Sequence, residues 1–193
     1  MLYLSPRTAL IVVDVQNDFC PGGALPVRDG DRIVPVLNDY LERLRVCNGP
    51  VIATRDWHPP NHCSFHDHGG VWPPHCVQGQ PGAAFHPGLK LPEQTLIISK
   101  GVDPARDDYS GFANPALERN LRLLGVEVLL IGGLATDYCV KSTVLDARRR
   151  GFETVFLQDA CRAVNKNPGD GDTALTEMLA AGAQRADLSM ISG

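Results

Sequence analysis

Cys139 comes directly after Gly132-Gly133-Leu134-Ala135-Thr136-Asp137-Tyr138, behind the apolar run 126–131. With Asp137 as helix N-cap, this thiol would sit on a first helical turn. The dipole and free N–H groups there favour thiolate and can hold a developing oxyanion. The plainer alternative is a small buried hydrophobe, the commonest fate of a free cysteine. Asp14 ends the apolar stretch 9–13, and Lys100 follows the β-branched stretch 95–99. Taken singly, they read as a turn residue and a surface lysine. Taken together, they supply a carboxylate that can accept a thiol's proton and pass it to a departing amine, beside an ammonium whose charge favours both anions. That is the chemistry of covalent amide hydrolysis. Histidine is the usual base for such a thiol, but the one histidine that follows a strand, His58, has other company.

That company is Asp56-Trp57-His58-Pro59-Pro60-Asn61-His62. Residues two apart in an extended segment share a side, so Asp56 and His58 can converge on one ion. His62 can return through the Pro59-Pro60 turn, and His75, in WPPHC, is a fourth candidate. One carboxylate and three imidazoles suit a divalent metal, zinc first, with iron(II) or manganese as alternatives. Structural zinc sites prefer thiolates, so an oxygen- and nitrogen-rich set indicates a working site with open positions. The plain alternative is a polar loop with scattered histidines, and His66, His68 and His86 read that way.

The elements that must position these groups alternate along the chain. Strand patterns cover 8–13, 51–54, 95–99, 127–131 and 154–157, with a weaker one at 186–190. Their nearly continuous apolar runs suit a parallel sheet covered on both faces. Helical patterns cover 31–47, 114–124, 138–150 and 172–181; in the first, Ile33, Val36, Leu37, Tyr40, Leu41 and Leu44 mark one buried face. The alternation predicts a doubly wound α/β fold in a single domain over residues 1–193. In such sheets ligands bind beyond the carboxyl ends of the strands, where Asp14, Asp56, Lys100 and Cys139 all fall. Residues 56–93, rich in proline and histidine and carrying both tryptophans, interrupt the rhythm as a long functional loop.

Bulk properties prune the alternatives. The chain has 193 residues, with 44% apolar and 21% charged residues and a net charge of −4. No basic block points to nucleic acid or to an acidic membrane; Arg148-Arg149-Arg150 before Gly151 reads as a helix C-terminus. No secretory signal or membrane span is visible, since Asp14 breaks the first apolar segment after five residues. The six cysteines have no CxxC pairing, and reduced thiols in a cytoplasmic protein are expected. Dinucleotide fingerprint, phosphate loop and serine elbow are all missing, and GDGD (169–172) falls short of a calcium loop.

The stretches ALIVVDVQNDFCPGGAL (9–25), ATRDWHPPNHCSF (53–65), WPPHCVQGQPGAAFH (72–86), SKG (99–101), YSGF (109–112), GGLATDYCVKSTVLDARRRGF (132–152) and DACRAVN (159–165) carry a family likeness. In that order they resemble the cysteine amidohydrolases of the isochorismatase-like superfamily, most closely its nicotinamide-hydrolysing branch. The resemblance implies a six-stranded parallel sheet of order 3-2-1-4-5-6 and a triad of Asp14, Lys100 and Cys139. It implies an oxyanion hole from the N–H groups of Ala135 and Cys139, with a cis peptide before Ala135. It further implies metal ligation by Asp56, His58, His62 and His75, and a ring pocket lined by Phe19, Trp72 and Tyr109. The acidic stretch 101–108 departs from the family pattern and bears on Tyr109. The implied reaction takes nicotinamide and water to nicotinate and ammonia, with pyrazinamide cut as well, in a monomer or small homo-oligomer serving NAD salvage. Rival readings are a carbamoyl or ureido hydrolase of the same superfamily, a vinyl-ether hydrolase, and a non-catalytic metal or thiol sensor.

Overall fold

In the computed structural model, which describes residues 1–192, the first two residues of real secondary structure already tie the chain ends together. β1 (Leu2–Tyr3) pairs in parallel with β8 (Ile191–Ser192). The main sheet comprises β2 (Thr8–Val13), β3 (Val51–Asp56), β4 (Leu96–Lys100), β5 (Val128–Leu134), β6 (Glu153–Arg162) and β7 (Gln184–Ala186). Its order is β4-β3-β2-β5-β6-β7, and every pair in it is parallel. Counting only these six strands, the order is the 3-2-1-4-5-6 that the resemblance implied. It reverses between β2 and β5, which makes their carboxyl ends the switch point where α/β sheets open a crevice.

All six residues of β2 are buried, because both of its faces are covered. Leu10 and Val12 join a cluster with Leu37, Tyr40, Leu41 and Leu44 of α1 (Ile33–Val46). Ala9, Ile11 and Val13 join the opposite cluster, as the two-residue period of a strand requires. That second face is covered by α2 (Pro115–Leu123), α3 (Lys141–Arg149) and α4 (Asp170–Ala180), through Leu117, Leu121, Val144, Ala147 and Met178. Each leucine buried in this way stabilises the fold by about 2 kcal/mol before the entropy of ordering it is counted. Asn114 caps α2, its side chain accepting the Ala116 N–H at 3.0 Å, and Pro115 follows at the first helical position, where its missing N–H costs nothing.

With one helix on the first face, the long loop covers what α1 leaves open. Trp57, Phe85, Leu89 and Leu91 pack against the α1 cluster. The loop contains only short 3-10 turns, His66–His68 and Pro81–Ala83, and isolated bridges such as His58 with Val77 and Phe65 with Trp72. Two expectations change. The weak strand placed at 186–190 lies earlier, at Gln184–Ala186, because Leu188–Met190 forms a 3-10 turn capped by the Asp187 side chain. Strands also run further toward their carboxyl ends than the apolar pattern suggested. Arg55 and Asp56 of β3, Lys100 of β4 and Gly132–Leu134 of β5 are still in the ladder.

Candidate active site

The last rungs of the sheet carry the polar groups. Asp56 and Lys100 are register neighbours on β3 and β4. Val13, the residue before Asp14, lies between Thr54 of β3 and Gly133 of β5. Asp14 then leaves the strand with a φ of 50°, a left-handed conformation that aspartate tolerates better than most residues. β5 comes so close here that a Cβ on Gly133 would lie 2.1 Å from the Val13 carbonyl oxygen.

Lys100 is the hub. Its Nζ lies 2.8 Å from Asp14 Oδ2, pairs with Asp56 Oδ1, and lies 3.3 Å from Cys139 Sγ. The Lys100 and Asp14 side chains are both completely buried. Thr54 Oγ1 donates to Asp14 Oδ1 at 2.7 Å. Asp14 Oδ2 is ion-paired with Lys100, and a carboxylate oxygen so paired still has lone-pair capacity to accept a proton. Single donor atoms of Asp14, Asp56 and Cys139 lie within 4.8 Å of one another.

Cys139 sits in one wide π turn, Thr136–Val140, closed by the Val140 N–H on the Ala135 carbonyl at 3.1 Å. Such turns concentrate at functional sites. Asp137 is not the N-cap expected from the sequence. No side chain caps this turn, because the chain enters it at Ala135 and leaves Asp137 inside it. The Asp137 carboxylate instead accepts the N–H groups of Val164 and Asn165 at 2.9 and 2.8 Å. The Leu134–Ala135 peptide is cis, and Ala135 and Cys139 line the same pocket.

Burial dominates the charges. It pushes the Cys139 thiol well above its ordinary range; Lys100 pulls back, and Asp14 and Asp56 push further up. The expected thiolate is therefore replaced by a resting thiol, since burial and two carboxylates outweigh one ammonium. Burial also raises Asp14 against the pull of Lys100. For Asp56 burial acts upward too, but Lys100 and His58 outweigh it and hold this carboxyl below the usual range. Burial alone would lower Lys100, but the two carboxylates keep it firmly charged.

Among the described residues, Asp56, His58 and His75 bring one donor atom each within 4.8 Å of one another, all buried. The second nitrogen of each ring is already committed. His58 Nδ1–H donates to the Gly101 carbonyl at 2.9 Å, and His75 Nδ1–H to the Pro73 carbonyl at 2.8 Å. In both rings Nδ1 is thus the nitrogen that keeps its proton, which leaves Nε2 for a metal. At His58 burial lowers the pKa, but the Asp56 carboxylate beside Nε2 outweighs it and raises it, so an ion would take the place of a proton there. Burial holds His75 below its ordinary value, which keeps it neutral. Gly101 has a φ of 61°, and a Cβ there would lie 2.3 Å from the His58 ring. The donor set fits a divalent ion of the zinc type. His62 stands beside the group, with its ring centroid 4.1 Å from that of His58. Its Nδ1 accepts from Ser64 Oγ at 2.7 Å and its Nε2–H donates to the Arg106 carbonyl at 3.0 Å. It would have to give up the Arg106 bond to join the other three.

A pocket of about 400 Å³, counted out to its open mouth, lies over Cys139. Phe19, Trp72 and Tyr109 line it together with Tyr138, Asp56 and His75. Trp72 Nε1 donates to the Tyr109 hydroxyl at 3.1 Å, Tyr138 stands edge-on to Trp72 with centroids 5.2 Å apart, and the Phe19 ring is 5.6 Å from that of His75. Flat apolar walls around one thiol and a few polar atoms suit a small planar ring bearing a carbonyl. Sequence reasoning did not single out Tyr138 or Val164 as wall residues. Adjacency to Cys139 could have flagged Tyr138; Val164 had no comparable signal.

Comparison with known proteins gives the family and the fold. Residues 8–189 match the isochorismatase domain. The chain is 42% identical to a nicotinamidase of Escherichia coli, over 92% of this chain and 93% of that one. It superposes with a TM-score of 0.91 on a pyrazinamidase of Pyrococcus horikoshii solved in complex with zinc, at 48% identity over 95% of this chain and all of that one. A protein of L. infantum solved in complex with nicotinate gives a TM-score of 0.92 at 36% identity, covering 99% of each chain. The chain belongs to the isochorismatase family.

Proposed function

We propose that this protein hydrolyses nicotinamide to nicotinate and ammonia, and pyrazinamide in the same way, through a thioester on Cys139. One observation carries the reading: a buried thiol, a carboxylate and an ammonium share a crevice with an Asp/His/His group, under a pocket lined by Phe19, Trp72 and Tyr109. The named relatives support the choice of substrate.

Cys139 Sγ attacks the amide carbon while its proton passes to Asp14. The new C–S bond turns the carbonyl oxygen into an oxyanion held by the N–H groups of Ala135 and Cys139, each such donor being worth roughly 3–4 kcal/mol in other enzymes. Collapse breaks the C–N bond, and the leaving nitrogen takes the proton from Asp14 and departs as ammonia. Water then attacks the thioester carbon, giving its proton to Asp14. The second collapse returns the proton from Asp14 to sulfur and frees nicotinic acid, which passes its own proton to the released ammonia and leaves as nicotinate. Throughout, Lys100 stays charged and holds Asp14 in place. Phe19, Trp72 and Tyr109 hold the ring. Asp56, His58 and His75 would hold the divalent ion, zinc with iron(II) or manganese as alternatives, and such an ion supplies a Lewis acid for the pyridine nitrogen.

The test is ammonia release from nicotinamide followed across pH. Asp14 must be ionised to accept the proton, and its pKa lies above the ordinary 3.8. kcat/KM should therefore fall tenfold per pH unit on the acid side, from a midpoint above that value. It should not rise through about pH 8.5, the range of a free thiol, because the Cys139 proton is removed during attack. Turnover of carbamoyl or ureido compounds in place of nicotinamide would overturn the substrate, and a rise near pH 8.5 would overturn the role given to Asp14.

A further inference from the structure

We infer that Gln16 is a positioning residue that completes the sheet beside Asp56 and so fixes the Asp56 carboxylate between Lys100 and the two histidines. β2 stops accompanying β3 at this level: the Asp14 N–H still donates to the Thr54 carbonyl at 3.2 Å, and then the chain turns away through the left-handed Asp14. Asp56, two residues beyond Thr54, would be left with an open edge on that side. The Gln16 side chain takes the place of the missing strand. Its Oε1 accepts the Asp56 N–H at 2.8 Å, and its Nε2 donates to the Asp56 carbonyl at 2.8 Å. One side-chain amide thus pairs with both backbone groups of one residue, as a neighbouring strand would. The second Nε2 proton goes to the Ala83 carbonyl at 2.9 Å, which ties the end of the long loop to the same point. Gln16 is completely buried, and its acceptor and both donors are all used, so the amide has one orientation.

On its other side Asp56 is held by β4, in register with Lys100. Removing the Gln16 pair leaves it held from one side only. Its two carboxylate oxygens work in opposite directions: Oδ1 pairs with Lys100, while Oδ2 lies 3.7 Å from His58 Nε2. A small rotation of the Asp56 backbone would spoil both at once. No other side chain meets the requirement. Asn is one methylene shorter, and Glu keeps an acceptor for the Asp56 N–H but turns both donations into contacts between acceptors.

This inference rests on the metal-dependent reading above, and its test separates the two. Gln16→Glu and the apolar, similarly shaped Gln16→Met would be purified, and their zinc affinity measured by competition with a chromophoric chelator, in parallel with kcat, KM and the melting temperature. Both variants should bind zinc 10- to 100-fold more weakly than wild type, the usual effect of losing a group that orients a ligand. In an Asp56→Asn background, Gln16→Glu should produce no further loss. Zinc bound equally by wild type and both variants, or a loss that persists undiminished in the Asp56→Asn background, overturns the role of Gln16. A lowered melting temperature with unchanged zinc affinity does so too, because the residue would then serve packing alone. A wild-type protein that binds no zinc removes the metal reading and the Gln16 role with it.

Discussion

Cys139→Ala is expected to abolish ammonia release, lowering kcat by about 10⁴-fold or more, as loss of a covalent nucleophile does elsewhere. Fold and zinc affinity should survive. Cys139 lies outside the Asp56, His58 and His75 group, and the Lys100 ammonium next to it keeps both of its carboxylate partners. The variant removes one buried sulfur and leaves the charged pairs unchanged, so its melting temperature should move by only a few degrees. Cys139→Ser retains shape and a nucleophilic atom, yet it should also be nearly inactive. A hydroxyl is much harder to deprotonate than a thiol, and burial would make it harder still. Steady-state kinetics, chelator competition and thermal melting on the same preparations check all three statements. Full turnover by the alanine variant would remove the nucleophile.

Lys100→Met is expected to have the largest effect on stability. Both side chains of the Lys100–Asp14 pair are fully buried, and Asp56 is nearly so. Taking away the ammonium leaves two carboxylates with no counter-charge, a change that costs about 3–5 kcal/mol for one broken buried pair. The sign of the pH dependence follows. In wild type, Asp56 is held below its unfolded value, so it contributes stability that is present above about pH 4 and lost as pH falls through its folded pKa. In the variant, both carboxyls should titrate above their unfolded values. The variant should therefore be most stable relative to wild type in mild acid and lose ground as pH rises through those raised pKa values. Denaturant melts at several pH values measure this, and a constant difference across pH would contradict it. Activity should also fall, by about 10²-fold or more, because Asp14 would be protonated at the pH where it has to act as base.

Most of the framework was readable because burial on both faces leaves a plain signature. The run Thr8–Val13 could only be a central strand, and α1 showed its buried face through Leu37, Tyr40, Leu41 and Leu44. Site residues were visible for a related reason. Asp14, Lys100 and Cys139 interrupt or follow runs that otherwise have no use for polar groups. Signals failed where position depended on partners distant in sequence. What sets His62 apart from His75 in the fold is the Arg106 carbonyl, 44 residues away, which takes the His62 Nε2–H. Asp137 looked like a cap because the sequence does not reveal a π turn, and its true partners are 27 and 28 residues away. The resting thiol was missed because a helix terminus and a lysine are visible in one dimension, whereas burial beside two carboxylates is not. Gln16 carries no local signal in the sequence, and only the folded sheet shows what it completes.

The most direct measurement is the intact mass of the wild-type protein during turnover of nicotinamide, quenched in acid within milliseconds to seconds and followed by peptide mapping. A thioester survives acid, so the account predicts a fraction of the protein heavier by one nicotinoyl group, with the added mass on the peptide containing Cys139 and absent from Cys139→Ala. Sustained ammonia release with no acylated species at any quench time, or with the acyl group on another residue, would contradict it.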